Sequence, residues 1–144
     1  MDKWQQEFSS RVSVLRDRWA KEFDRWASDQ LVPVFKDFSD FATGCELHAT
    51  AAKDQKGVRS FKFALTEDAY VLLSFRSAGV DCIEFDYECW LPSHGRAAGV
   101  KSDTTGHEAE HHWVESCFRM ALDDLVSKFA NLAGVHHAEE MAVA

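Results

Sequence analysis

Two histidines and a glutamate in the C-terminal half stand at a spacing that could bind a metal ion. His107, Glu108 and His111 form the pattern H-E-x-x-H at the start of a predicted helix, 106–133. Histidines at positions i and i+4 of a helix lie one turn apart and can hold Zn²⁺, while the glutamate between them activates a bound water. A small zinc-dependent hydrolase that uses His107 and His111 as ligands is therefore one interpretation.

This five-residue pattern resembles the signature of zinc metalloproteases, but three features favour a structural interpretation. Glu110 is charged where that family usually keeps an uncharged residue, and no G-x-x-H follows to supply a third ligand. Thr105 and Glu108 also form a T-x-x-E capping box, which gives the glutamate a structural role at the helix start. We therefore predict no catalytic residue, no metal and no cofactor, and keep the hydrolase as the alternative.

A second group of polar residues follows the last predicted strand. Glu84, Asp86 and Glu88 alternate with apolar residues, so they lie on one face of that strand, and Trp90 ends the series. Like charges aligned in this way repel each other, which requires water, cations or a basic partner in front of them. We predict a basic protein as the possible partner of these four residues.

Composition limits the classes of function. The chain has 144 residues, 46% hydrophobic and 28% charged, as expected for one globular domain spanning 1–144. The net charge is −8, and residues 79–144 carry twelve Asp or Glu against four Lys or Arg. This excess disfavours nucleic-acid binding, which needs clustered basic residues. No apolar run approaches the roughly 20 residues that cross a bilayer, so we expect a cytoplasmic protein without membrane contact.

A helical arm is predicted over residues 2–42, with a break near Pro33, because the residue before proline avoids helical geometry. Its aromatic stripe recurs at steps of four and three, as on one helical face. At about 1.5 Å per residue, the helix is longer than a sheet of short strands can cover. The expected cover is the same helix of a second subunit, in a homodimer. The alternative is that the helix kinks and wraps its own domain. The predicted interface residues are Trp4, Phe8, Leu15, Trp19, Phe23 and Trp26.

Four strands with alternating apolar residues are predicted between residues 45 and 91. Their short connections allow only antiparallel neighbours, so they form a meander with one apolar face. A loop at 92–106 returns the chain to the C-terminal helix, 106–133, which packs on that face, and a tail follows at 134–144. The predicted strands are 45–53, 58–65, 70–76 and 81–90.

The predicted fold class is α+β, in the order helix, strands, helix. At the level of fold this small acidic chain resembles type III secretion chaperones and other dimeric adaptors, although those chaperones have a helix within the strand series and this chain shows none. The function that we expect is a non-enzymatic protein-interaction module, acting as an adaptor, chaperone or inhibitor. Besides the zinc hydrolase, a small-ligand binding domain with a pocket between sheet and helices is a further alternative.

Overall fold

The computed structural model describes residues 2–52, 55–79, 81–105 and 108–132, and it confirms the α+β organisation. An N-terminal helical region leads into an antiparallel sheet, and a C-terminal helix follows. The helices are α1 (Lys3–Trp26), α2 (Val32–Gly44) and α3 (His111–Leu132), with a π-helical segment (Ala27–Leu31) between α1 and α2. The strands are β1 (His48–Ala51), β2 (Val58–Ala64), β3 (Tyr70–Ser77), β4 (Cys82–Leu91), β5 (Gly95–Ala98) and β6 (Ser102–Thr105).

The helical region does not break at Pro33 as predicted. Asp2 begins α1 with a capping box, in which its carboxylate accepts from the Gln5 backbone N–H at 2.8 Å. Before Pro33 the chain widens into the π-helical segment, and the Val32 N–H donates to the Ala27 carbonyl five residues earlier. Proline lacks an N–H and is tolerated in the first turn of a helix, so α2 starts with Pro33 in that turn.

Within the described residues the sheet has six strands rather than the predicted four. Strands β1 to β5 are neighbours in chain order, all antiparallel, and β6 returns to pair with β4. The segment predicted as a loop at 92–106 contains both additional strands: β5 pairs with the last residues of β4 and β6 with its first residues. Each is only four residues long and without a clear apolar alternation, so the ten-residue edge of β4 determines them rather than their own pattern.

The helix α3 begins at His111, not at residue 106 as predicted. Thr105 ends β6, and its backbone carbonyl accepts from the N–H groups of Glu108 and Ala109 in a turn. The expected capping box is therefore absent, since Thr105 is committed to the sheet. The predicted tail at 134–144 lies outside the described residues.

The hydrophobic core lies between one face of the sheet and the helices α2 and α3 together with the π-helical segment. The Phe118 ring of α3 is fully buried at its centre, 5.6 Å from the Phe61 ring and 5.7 Å from the Phe75 ring. Among the described residues, no buried side-chain nitrogen or oxygen lacks a hydrogen-bond partner. Stacked phenylalanine rings fill the space in which a small-ligand pocket was one of the expected alternatives.

Candidate interaction surface

The aromatic stripe of α1 is uncovered along its N-terminal half. Trp4 is 63% exposed, Phe8 52% and Leu15 47%, whereas Phe23 near the end of the helix is 4% exposed. The rings of Trp4 and Phe8 stack on each other at 5.3 Å, which hides little of their surface. Contiguous apolar surface of this kind is typical of an interaction site rather than of a solvated helix face.

The C-terminal turns of α1 are anchored to the body of the same chain. The Arg59 guanidinium of β2 binds Asp24 at 2.6 Å and lies over the Phe23 ring, 5.4 Å from its centre. The Trp26 indole N–H donates to the Ala109 carbonyl at 2.6 Å. Phe23 and Trp26 therefore pack within their own domain. The other predicted interface residues, which these contacts do not involve, are Trp4, Phe8, Leu15 and Trp19.

An open groove begins where the exposed stripe reaches the body. One wall consists of α1 residues, including the half-buried Trp19 and Trp26. The other wall comes from the end of β3 and the start of β4, including Gly79 and Ile83. The groove therefore joins the stripe of α1 to the end of β3 and the start of β4, and its lining also includes Glu22, Arg25 and Asp81.

On the predicted acidic face of β4, two arginines from the neighbouring strands form ion pairs with the carboxylates. Arg76 of β3 binds Asp86 at 2.5 Å, and Arg96 of β5 forms an ion pair with Glu88. Among the described residues no ion pair involves Glu84, which lies opposite Asp103 of β6. Sequence reasoning missed both arginines because each becomes a neighbour only through strand pairing.

Trp90, the fourth predicted partner-binding residue, belongs to an aromatic patch on the same outer face. Its ring stacks with that of Tyr70 at 6.1 Å, and the Lys62 ammonium lies 4.2 Å from the centre of the Tyr70 ring. The Trp90 indole N–H donates to Glu88 at 3.3 Å. This face therefore combines paired charges with half-buried aromatic rings, as binding surfaces often do.

Glu108 and His111 of the H-E-x-x-H pattern do not share one helix in this fold. His111 is the first residue of α3 and its Nε2 atom lies 3.0 Å from Glu115, while Glu108 lies in the preceding turn. His107 lies outside the described residues. Within the described ranges, no group of three His, Cys, Asp or Glu side chains could hold a metal ion. Glu108 is therefore not on the helix that carries His111, as the zinc interpretation expected.

Two further observations bear on the class of the protein. Among the described residues, no helix is both long enough and apolar enough to cross a membrane. Comparison with protein-family models, curated proteins and solved structures gives no match. Any functional argument therefore depends on the surface of this chain.

A polar cluster that sequence reasoning did not find connects β4 to α3. The buried Tyr87 hydroxyl donates to the Asp124 carboxylate at 2.9 Å, and Lys128 forms an ion pair with the same carboxylate. Burial, and next the hydrogen bond to Asp124, raise the pKa of Tyr87 to about 12. Burial raises the pKa of the Cys117 thiol to about 12, and burial with the nearby Asp124 charge raises that of Cys89 to about 11. These shifted groups lie in the core, so we assign them to stability.

We expect the free energy of unfolding to fall as the pH rises from about 9 to 12. The ordinary pKa values are 9.0 for cysteine and 10.0 for tyrosine, so the unfolded chain releases these protons at a lower pH than the folded chain. Their stabilising contribution is complete below pH 9 and is lost as the pH approaches the folded values. Urea denaturation at pH 8.0 and 10.5 measures the difference. The loss should shrink in Cys117→Ala, and an unchanged midpoint in the native sequence would contradict the assignment.

Proposed function

We propose that the protein is a non-enzymatic protein-interaction module that acts as a homodimer, with the exposed stripe of α1 as its dimerisation surface. The observation that carries the proposal is the uncovered row formed by Trp4, Phe8 and Leu15. Trp and Phe rings supply most of the binding energy in many interfaces, and they are rarely left in water along one face of a helix.

The stability of the arm itself supports the need for a partner. Residues 3–16 of α1 precede the contacts that attach the helix to the body, which begin with the 3.8 Å ion pair between Asp17 and Lys56. An isolated helix of about this length is marginal in water, because its few hydrogen bonds barely offset the cost of nucleation. Packing of the stripe against a second helix would supply the missing stabilisation.

Charge supports a second copy as the occupant. Residues 2–26 carry six Lys or Arg and five Asp or Glu, in a chain whose net charge is −8. The rest of the molecule is therefore strongly acidic, and two copies that met through it would repel each other. Residues 2–26 are a near-neutral part of the chain, through which two copies can approach without that repulsion.

In such a dimer the outer sheet face stays free for a further partner. Glu84 and the Tyr70–Trp90 ring pair are the groups on this face that suit a basic protein with apolar side chains. Asp86 and Glu88 are less suited, since each already binds an arginine. An adaptor or chaperone that dimerises through its arm would present two copies of this face.

Replacing Trp4 and Phe8 together by serine is expected to raise the dimer dissociation constant by about a hundredfold or more. Truncation of a tryptophan at an interface centre often costs about 2 kcal/mol or more, and each change occurs twice in a two-fold dimer. Sedimentation equilibrium over a range of protein concentrations measures the constant.

Phe41→Ser is the matched control for this experiment. Phe41 is 69% exposed on α2, so its replacement removes one exposed aromatic ring at a position away from the stripe of α1. The control should dimerise like the native sequence. A native protein that stays monomeric at about 100 µM, or a Phe41→Ser variant that dissociates as strongly as the double variant, would overturn the proposal.

A further inference from the structure

The stripe of α1 repeats with a period of eleven residues. Trp4, Phe8, Val12 and Leu15 are spaced by four, four and three residues, and Leu15, Trp19, Phe23 and Trp26 repeat these spacings. Eleven residues make just over three complete turns of an α-helix, so the stripe stays on one face of a nearly straight helix. The face that packs on the body at Phe23 and Trp26 is therefore the same face that is exposed at Trp4 and Phe8.

From this pattern we infer that two copies pair through antiparallel α1 helices, with the two-fold axis passing between Arg11 and Val12. This inference rests on the proposed function and adds the arrangement of the partner. In this register Trp4 of one copy lies opposite Trp19 of the other, and Phe8 lies opposite Leu15. The stripe has nearly the same spacing when read backwards, which is what a self-complementary two-fold interface requires.

The charges beside the stripe fit the same register. In an antiparallel two-fold pair, residues on the same side of the stripe face each other. Glu7 and Arg18 are eleven residues apart, so they lie on the same side of the stripe. Along the helix axis, Glu7 of one copy and Arg18 of the other are offset by only two residues, about 3 Å. Arg18 uses its Nε for Glu22 of its own helix at 3.3 Å, and its terminal guanidinium N–H groups can pair with Glu7 of the other copy, twice per dimer. The two Arg11 side chains approach the axis, and each has Glu7 of its own helix one turn away to offset its charge.

The groove at the base of α1 receives the start of the second helix. Trp4 of the second copy lies opposite Trp19 of the first copy. It therefore reaches the rim of the groove whose walls include Trp26 and Ile83. In the second copy α1 starts at Lys3, which lies level with residue 20 of the first copy. The second helix therefore does not extend past the point where the body of the first copy begins.

A charge-reversal series on the full chain tests this register by sedimentation equilibrium. Glu7→Arg should raise the dimer dissociation constant about tenfold, because two attractive pairs become repulsive. Adding Arg18→Glu should bring the constant back to within about threefold of the native value. Adding Arg16→Glu instead gives the same net charge, but residue 16 lies on the other side of the stripe, so the constant should stay raised.

The outcomes separate the register from the proposed function. Recovery with Arg18→Glu and not with Arg16→Glu supports the antiparallel register. A native dimer in which both double variants behave alike overturns the register and leaves the proposed dimer intact. A native protein without self-association overturns both.

Discussion

Replacing Phe118 by alanine is expected to lower the free energy of unfolding by about 3–5 kcal/mol, the range for large aromatic truncations in protein cores. The side chain has no exposed surface, and its neighbours come from every layer of the fold. Its ring lies 5.3 Å from the Phe38 ring of α2, 5.6 Å from Phe61 of β2 and 5.7 Å from Phe75 of β3. Because these residues belong to separate elements, the cavity cannot close by the movement of one side chain.

Urea denaturation followed by far-UV circular dichroism measures this change, with Phe41→Ala as the matched control. Phe41 loses the same atoms from an exposed site, so its replacement should alter stability by no more than about 0.5 kcal/mol. A Phe118→Ala loss below about 1 kcal/mol would show that α3 does not pack on the sheet in this way. The arm variants Trp4→Ser and Phe8→Ser should leave the unfolding of the body nearly unchanged at concentrations where the chain is monomeric.

Replacing Gly99 by alanine is expected to cost about 1–3 kcal/mol, the usual range for an overpacked site. A Cβ atom at this position would lie 2.2 Å from one carbon of the Tyr87 ring and 2.4 Å from two others. The ring has little freedom to move, because its hydroxyl donates a hydrogen bond to Asp124 of α3 and it packs beside the Phe85 ring, with 5.9 Å between the ring centres. Gly99 has no positive φ, so the steric contact alone accounts for the expected loss.

Gly44→Ala is the matched control, since no heavy atom lies within 4 Å of a Cβ at that position. It should not destabilise the protein. The loss from Gly99→Ala should also be smaller in a Tyr87→Leu background than in the native one, because the shorter side chain leaves room for the new methyl group. Equal losses in both backgrounds would falsify the assignment of the cost to the Tyr87 ring.

The two proposals concern the part of the molecule that the body does not cover. Phe23, Trp26 and Asp24 attach the end of α1 to the body, but none of the contacts found among the described residues attaches the first four turns of that helix to it. A stripe that is half packed and half exposed, with one continuous period, is typical of an interaction site. The near-neutral charge of the arm and its nearly palindromic spacing both suit a second copy.

Local periodicity in the sequence predicted the elements whose own residues determine them. Apolar side chains recur with a 3.6-residue period in α1 and α3. They alternate every two residues in β2, β3 and β4, because one face of each element must meet the core. The α+β class and the antiparallel sheet followed from these elements and their short connections. The aromatic stripe and the acidic series on β4 could be read in the same way.

Only the tertiary structure decided features that depend on a neighbour distant in the chain. β5 and β6 exist because β4 offers them an edge, and Thr105 joins that edge instead of capping α3, so α3 begins only at His111. Arg76 and Arg96 reach Asp86 and Glu88 through strand pairing, which no spacing along the chain reveals. The sequence alone showed that α1 has one apolar face. Where that face is covered and where it stays exposed depended on how far the body extends along it.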